Sequence, residues 1–193
     1  MITHLSKQMS NLLSSSLDLN EEKEEELTYG FELIFLAVIG TASILLAAYF
    51  LDTLLLTALT LLFGGGLRKL SGGAHAGSAF KCLAIGTVVY AFLGLSAKSL
   101  IAYNLAGSTL NLVILLLCLP VVAILAPVDC PAKPIHSRSF RRKLKSVSIA
   151  FVLVTSILVF LSQNIILGTS AALGIAYQTV TLLPLFNLRK GGS

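Results

Sequence analysis

From Phe31 to Phe186 the chain is a succession of apolar runs parted by polar connections, and this pattern constrains the fold more than any other feature. A bilayer core of about 30 Å takes roughly 20 helical residues to cross. Phe31–Leu51 has that length. Asp52 marks a turn, and Thr53–Phe63 is a shorter second run, read as a tilted or partial helix ending at Gly64-Gly65-Gly66. Three successive glycines support a helix poorly and let the backbone bend. Cys82–Leu95 opens a third span that extends past Lys98 towards Tyr103. Leu110–Leu125 is the fourth, Val147–Leu161 the fifth, and Ile165–Phe186 the sixth, the last two joined by Ser162-Gln163-Asn164. With 55% hydrophobic and 12% charged residues and a mean hydropathy of +0.88, the chain lies outside the range of soluble domains. The expected fold is an all-α integral membrane protein with about six transmembrane helices and an N-terminal amphipathic interfacial helix.

That first helix is read from Ile2, Leu5, Met9, Leu12, Leu13 and Leu17, spaced mostly by three and four with polar residues between. Such a pattern lies along a membrane surface. It lacks the compact apolar core and small-residue cleavage site of a signal peptide. The acidic stretch Glu21–Glu26 reads as a solvated segment or helix face, since no convergent partners suggest catalysis or metal binding. Residues 1–30 thus form an amphipathic and acidic segment at the membrane surface, and residues 31–193 the polytopic domain.

The net charge of +5 conceals a split. Residues 1–30 hold six acids against Lys7 and Lys23, whereas the remainder holds twelve Lys/Arg and three acids. These cations sit in short connections beside apolar runs, which is the positive-inside pattern and not a nucleic-acid-binding one. If the six segments alternate with both termini cytoplasmic, eleven of the twelve cations face inward and only Lys98 faces outward. The crossing of the short second run is the step on which this orientation depends.

The chemistry concentrates in the polar interruption from Arg68 to Cys82, which holds Lys69, Gly72, Gly73, His75, Gly77, Ser78 and Lys81. A thiol attacks as its thiolate, a form that neighbouring cations, a base and a helix N-terminus all favour. Ser78 can cap a helix, which would put Cys82 at the end of its first turn. On one straight helix His75 and Cys82 would stand about 10.5 Å apart, at about 1.5 Å per residue. A general base must approach to about 3 Å or act through one water. The pair therefore works only if the glycine-bracketed segment around His75 folds back on the Cys82 helix.

Other readings of these residues stay open. His75 as an interfacial polar residue, with Cys82 a small filler at a helix start, weighs about evenly against a catalytic pair. Cys130 and His136 form a second pairing, stiffened by Pro131 and Pro134 and without a helix start at the cysteine. Zinc bound by the two cysteines and two histidines has suitable donors, but neither loop has C-x₂-C or H-x₃-H spacing, and no metal is expected. Cys118, inside an apolar run, reads as a small hydrophobe. An odd number of cysteines gives no disulfide framework. Asp129 and Lys133 lie in the basic connection Ala126–Ser146, which reads as a contact for anionic lipid or as a docking surface for a carboxylate-bearing peptide.

Arg68-x₃-Gly72-Gly73-x-His75-Ala76, with a cysteine seven residues after the histidine, resembles the signature of AgrB, the accessory gene regulator protein B family of Gram-positive bacteria. Ala126-Pro127-Val128-Asp129 with Lys133-Pro134-Ile135, and Gln178 to Pro184, are similar to two further stretches of that family.

The resemblance implies a membrane cysteine endopeptidase of the bacterial cell membrane, with its active site near the cytoplasmic face. It would trim an AgrD-like precursor peptide and promote its cyclisation to an autoinducer for quorum sensing. His75 and Cys82 would be the catalytic residues. Arg68, Gly72, Gly73, Ser78, Asp129 and Lys133 would support the site or bind substrate, with Asp129 a candidate to orient His75. The implied partners are the precursor and membrane lipid, with a homodimer as a candidate assembly and no nucleic acid; no cofactor is expected. The competing expectation is a small transporter or permease without catalysis, in which the glycine break is a discontinuous helix at a substrate site.

Overall fold

The computed structural model describes residues 2–17, 20–74, 78–128 and 137–187. It is all helical among these residues: α1 (Ile2–Leu17), α2 (Glu21–Phe50), α3 (Leu54–Ser71), α4 (Ala79–Ala102), α5 (Ser108–Leu125), α6 (Arg138–Ser162) and α7 (Ile165–Thr181). A short 3-10 turn follows at Pro184–Phe186. Helices α2 to α6 are each long and apolar enough to cross a membrane, and α7 is a shorter apolar helix. The chain is therefore an all-α membrane protein.

Local capping sets several boundaries. Asn20 accepts a hydrogen bond from Lys23 N at 3.2 Å and starts α2, which places Glu21, Glu22 and Glu24 in its first turn, where negative charge suits the helix dipole. Ser137 does the same for α6 through Phe140 N, so the basic run from Arg138 to Lys145 is helical and the fifth span begins nine residues before Val147. The sixth ends at Thr181, earlier than the expected Phe186.

The larger correction concerns the second run. It does not end at Gly64-Gly65-Gly66; α3 continues through the glycines to Ser71. The reason is tertiary packing, which supplies most helix stability in a folded chain. A Cβ built on Gly64 would stand 2.7 Å from Gly174 O, and one on Gly174 would stand 2.5 Å from Thr60 O. The glycines let α3 and α7 meet backbone to backbone, as small residues do in membrane helix pairs. Gly66 likewise receives the ring of Phe151 from α6, and Gly94 of α4 lies on the Thr57 hydroxyl of α3.

The helices run up and down. Lys98 near the end of α4 binds the Asp52 carboxylate that follows α2, at 2.8 Å, and holds that exposed carboxyl below its usual range through the hydrogen bond and charge. Asn111 at the start of α5 donates to Thr169 at the start of α7. The ends of α3, α5 and α7 meet at the opposite pole, where Val128 N donates to Ser71 O and Ala74 N donates to Thr181 O. Among the described residues after position 30, Arg68, Lys69, Lys81 and the five cations of α6 lie at this pole, and Lys98 at the other.

The apolar core is formed by α3, α5, α6 and α7, with Leu67, Leu115, Val152 and Ile175 fully enclosed. Helix α1 packs along α2 through Ser6, Ser10 and Ser14, all buried, and Ser10 Oγ donates to Glu24 O at 2.8 Å. Leu5, Met9 and Leu12 are exposed.

Candidate active site

At the pole where α3, α5 and α7 converge, the chain leaves α3 through Gly72 (φ +68°) and Gly73 (φ +134°), conformations that favour glycine. Gly72 forms a parallel bridge with Val128, and a Cβ on Gly72 would run into Val128 O. A Cβ on Gly73 would stand 2.7 Å from Thr181 Oγ1 and 3.1 Å from Gln178 Nε2. Both glycines are thus required twice over, by backbone conformation and by space.

Side chains from two helices hold this turn. Arg68 donates through Nη2 to the carbonyl of Ala74. Gln178, fully buried on α7, donates through Nε2 to Gly72 O at 2.6 Å and to Ser71 Oγ at 3.0 Å. Ala74 N closes the set by donating to Thr181 O at 3.2 Å. Ala74 is the residue immediately before His75; His75 itself, together with Asp129, Cys130, Lys133 and His136, lies outside the described residues.

The chain resumes at Ser78, which caps α4 by accepting from Lys81 N at 3.3 Å. Cys82 follows at the end of the first turn, its N–H donating to Ser78 O at 3.0 Å, as the sequence pattern anticipates. The Cys82 thiol is half-buried, whereas Cys118 is buried in the core. Tyr177, next to Gln178, lies within electrostatic range of both Arg68 and Cys82. Its ring packs edge-on to Tyr90 of α4 at 5.7 Å. Helix α4, which carries Cys82 in its first turn, thus packs against α7, to which the Arg68-held turn is fastened.

Of the residues singled out from sequence, Arg68, Gly72, Gly73, Ser78 and Cys82 therefore gather at one pole of the bundle. Gln178 and Thr181 join them from almost the far end of the chain, and sequence reasoning included Gln178 only as the start of a C-terminal motif. The available signal was a lone amide inside an apolar span, a costly placement that usually marks function in a membrane helix. No group of three or more His, Cys, Asp or Glu side chains arranged to hold a metal occurs among the described residues.

A helical membrane bundle with a glycine-turned, cation-flanked thiol at one pole defines the class of protein. Its residues 6–182 match the family model for accessory gene regulator B, and the chain belongs to the AgrB family. It is 29% identical over 204 residues to an AgrB-like protein of Clostridium perfringens strain SM101, covering 97% of this chain and 94% of the relative. It is 30% identical over 147 residues to accessory gene regulator protein B of Staphylococcus aureus strain Newman, covering 74% and 72%. No solved structure matches the chain.

Proposed function

We propose that this chain is a multi-pass cysteine endopeptidase of the bacterial cell membrane. It processes a small AgrD-like precursor peptide into a cyclic autoinducer for quorum sensing. Residues 31–193 carry the peptidase, and residues 1–30 lie at the membrane surface. The reading is carried by one observation in a member of the AgrB family: Cys82 ends the first turn of a Ser78-capped helix, in the neighbourhood of a clamped glycine turn that leads directly into His75.

In this reading His75 takes the Cys82 proton, and the thiolate attacks the scissile carbonyl near the precursor's C-terminus. The C–N bond breaks, the leaving amine receives the proton from His75, and a Cys82 thioester remains. A thiol of the same peptide then attacks this thioester, giving a thiolactone and restoring the Cys82 thiol. Thioester exchange roughly conserves bond energy, whereas hydrolysis would dissipate it, so the site must hold the peptide's thiol close and exclude water. Arg68 maintains the approach to His75 through Ala74 O, while Asp129 and Lys133 serve precursor recognition or histidine orientation. The basic pole faces the cytoplasm, by the placement of Arg68, Lys69, Lys81 and the α6 cations.

The continuity of α3 through Gly64–Gly66 weighs against a permease that would require a broken helix there. The test is co-expression with an AgrD-like precursor peptide, followed by mass analysis of the products. The parent should release a C-terminal fragment and a cyclic peptide, and Cys82→Ala should release neither. Normal fragment release by Cys82→Ala would overturn the peptidase reading.

A further inference from the structure

The turn between α3 and the histidine is fastened from the last helix of the bundle. Gln178 Nε2 reaches across 106 residues of sequence to the Gly72 carbonyl at 2.6 Å and also binds Ser71 Oγ at 3.0 Å. The side chain is wholly buried, and its Oε1 has no hydrogen-bond partner among the described residues. The donor end is engaged twice, on Gly72 O and Ser71 Oγ, so the amide serves this turn as a donor. Burying an amide with an unsatisfied oxygen is costly, by about 1–3 kcal/mol, and an apolar side chain of the same size would avoid that cost. What the glutamine supplies in return is a donor for Gly72 O and Ser71 Oγ.

We propose that Gln178 is a positioning residue of the active site, fixing the Gly72 carbonyl and with it the path of the chain into His75. This rests on the peptidase reading of the same site. The position suits the role. Tyr177 packs its ring on Tyr90 of α4 at 5.7 Å, and Thr181, one turn on, accepts from Ala74 N. One face of α7 thus addresses both the turn and the thiol helix, setting their relation to each other. Arg68, by contrast, belongs to the same helix that enters the turn.

The experiment measures precursor cleavage by purified Gln178→Met, Gln178→Glu and Cys82→Ala proteins beside the parent, across pH. Methionine fills the space but cannot donate, so kcat should fall by about tenfold to a hundredfold with KM changed by less than about twofold, as misplacement of a reacting group acts on the chemical step. Glutamic acid keeps an acceptor and can donate to Gly72 O only while protonated, a form that burial favours. The ratio of Gln178→Glu to parental kcat should therefore be greatest at low pH and fall as the carboxyl ionises, whereas the Gln178→Met ratio should stay flat. Ionising a buried carboxyl also costs fold stability, so kcat is referred to the folded fraction at each pH, read by circular dichroism. On that footing a purely structural role leaves both variants at the parental kcat, and that result overturns the proposal. Because Gln178→Glu is compared with itself at two pH values, the proposal stays testable if the methionine variant fails to fold. If Cys82→Ala cleaves normally, the peptidase reading fails and this role with it; if Cys82→Ala is inactive while Gln178→Met cleaves at the parental rate, only the role of Gln178 falls.

Discussion

Gly73 and Thr181 approach so closely that a single added carbon on the glycine would stand 2.7 Å from the threonine hydroxyl. Gly73 also holds φ at +134°, where a side chain is strained by about 1–3 kcal/mol. Gly73→Val should therefore move the turn and reduce precursor cleavage by at least about tenfold, since small misplacements near a reacting pair are costly. The Gly64–Gly174 contact that joins α3 to α7 is untouched, so the protein should still accumulate in the membrane. Mass analysis of the products and an immunoblot of the membrane fraction check the two halves.

His75 and Cys82 are expected to act as one unit. Each single alanine replacement should abolish cleavage, and the double variant should be no worse than either, because a base without its nucleophile contributes little. Kinetics of the three purified variants test this. A double variant much slower than both singles would separate the two roles.

Cys82 should be the thiol that reacts first. It is half-buried at a capped helix start, whereas Cys118 is enclosed by the core. Brief treatment with iodoacetamide at neutral pH, followed by peptide mapping, should find the label on Cys82. Modification of Cys130 with Cys82 spared would reassign the nucleophile.

The two poles of the bundle should differ in access. In intact cells of a cysteine-free background, Leu70→Cys, Arg138→Cys and Gly191→Cys should resist an impermeant maleimide, while Asn104→Cys should label. The motivation is the split of cations, with Lys98 alone among those described after position 30 at the Asp52 end. Labelling at position 70 or 138 would invert the proposed orientation.

Glycines in this chain should divide by what they touch. A Cβ on Gly174 would meet Thr60 O at 2.5 Å and Gly64 N at 3.0 Å, whereas Gly30 and Gly40 have nothing within 4 Å. Gly174→Val should destabilise the bundle by about 1–3 kcal/mol or more, as overpacking does. Gly40→Ala should be tolerated, since alanine is the better helix former. Thermal aggregation of the detergent-solubilised proteins compares them.

What the sequence determined alone was whatever depends on local periodicity and composition. The length of the apolar runs required membrane helices, the charge split carries the proposed orientation, and Ser78 before Ala79 to Cys82 announced a capped helix with a thiol in its first turn. The motif around Arg68, Gly72, Gly73 and His75 also carried the family resemblance. Contacts between distant segments decided the rest. Three glycines in a row look like a helix end until Gly174 of α7 is placed against Gly64, and then the missing side chains are what lets the two helices meet. Gln178 looks like one amide in an apolar span until its Nε2 is found on Gly72 O. Neither relation has a local signature, because helix propensity and periodicity act over a few turns, whereas these pairs are 110 and 106 residues apart and become neighbours only when the helices pack.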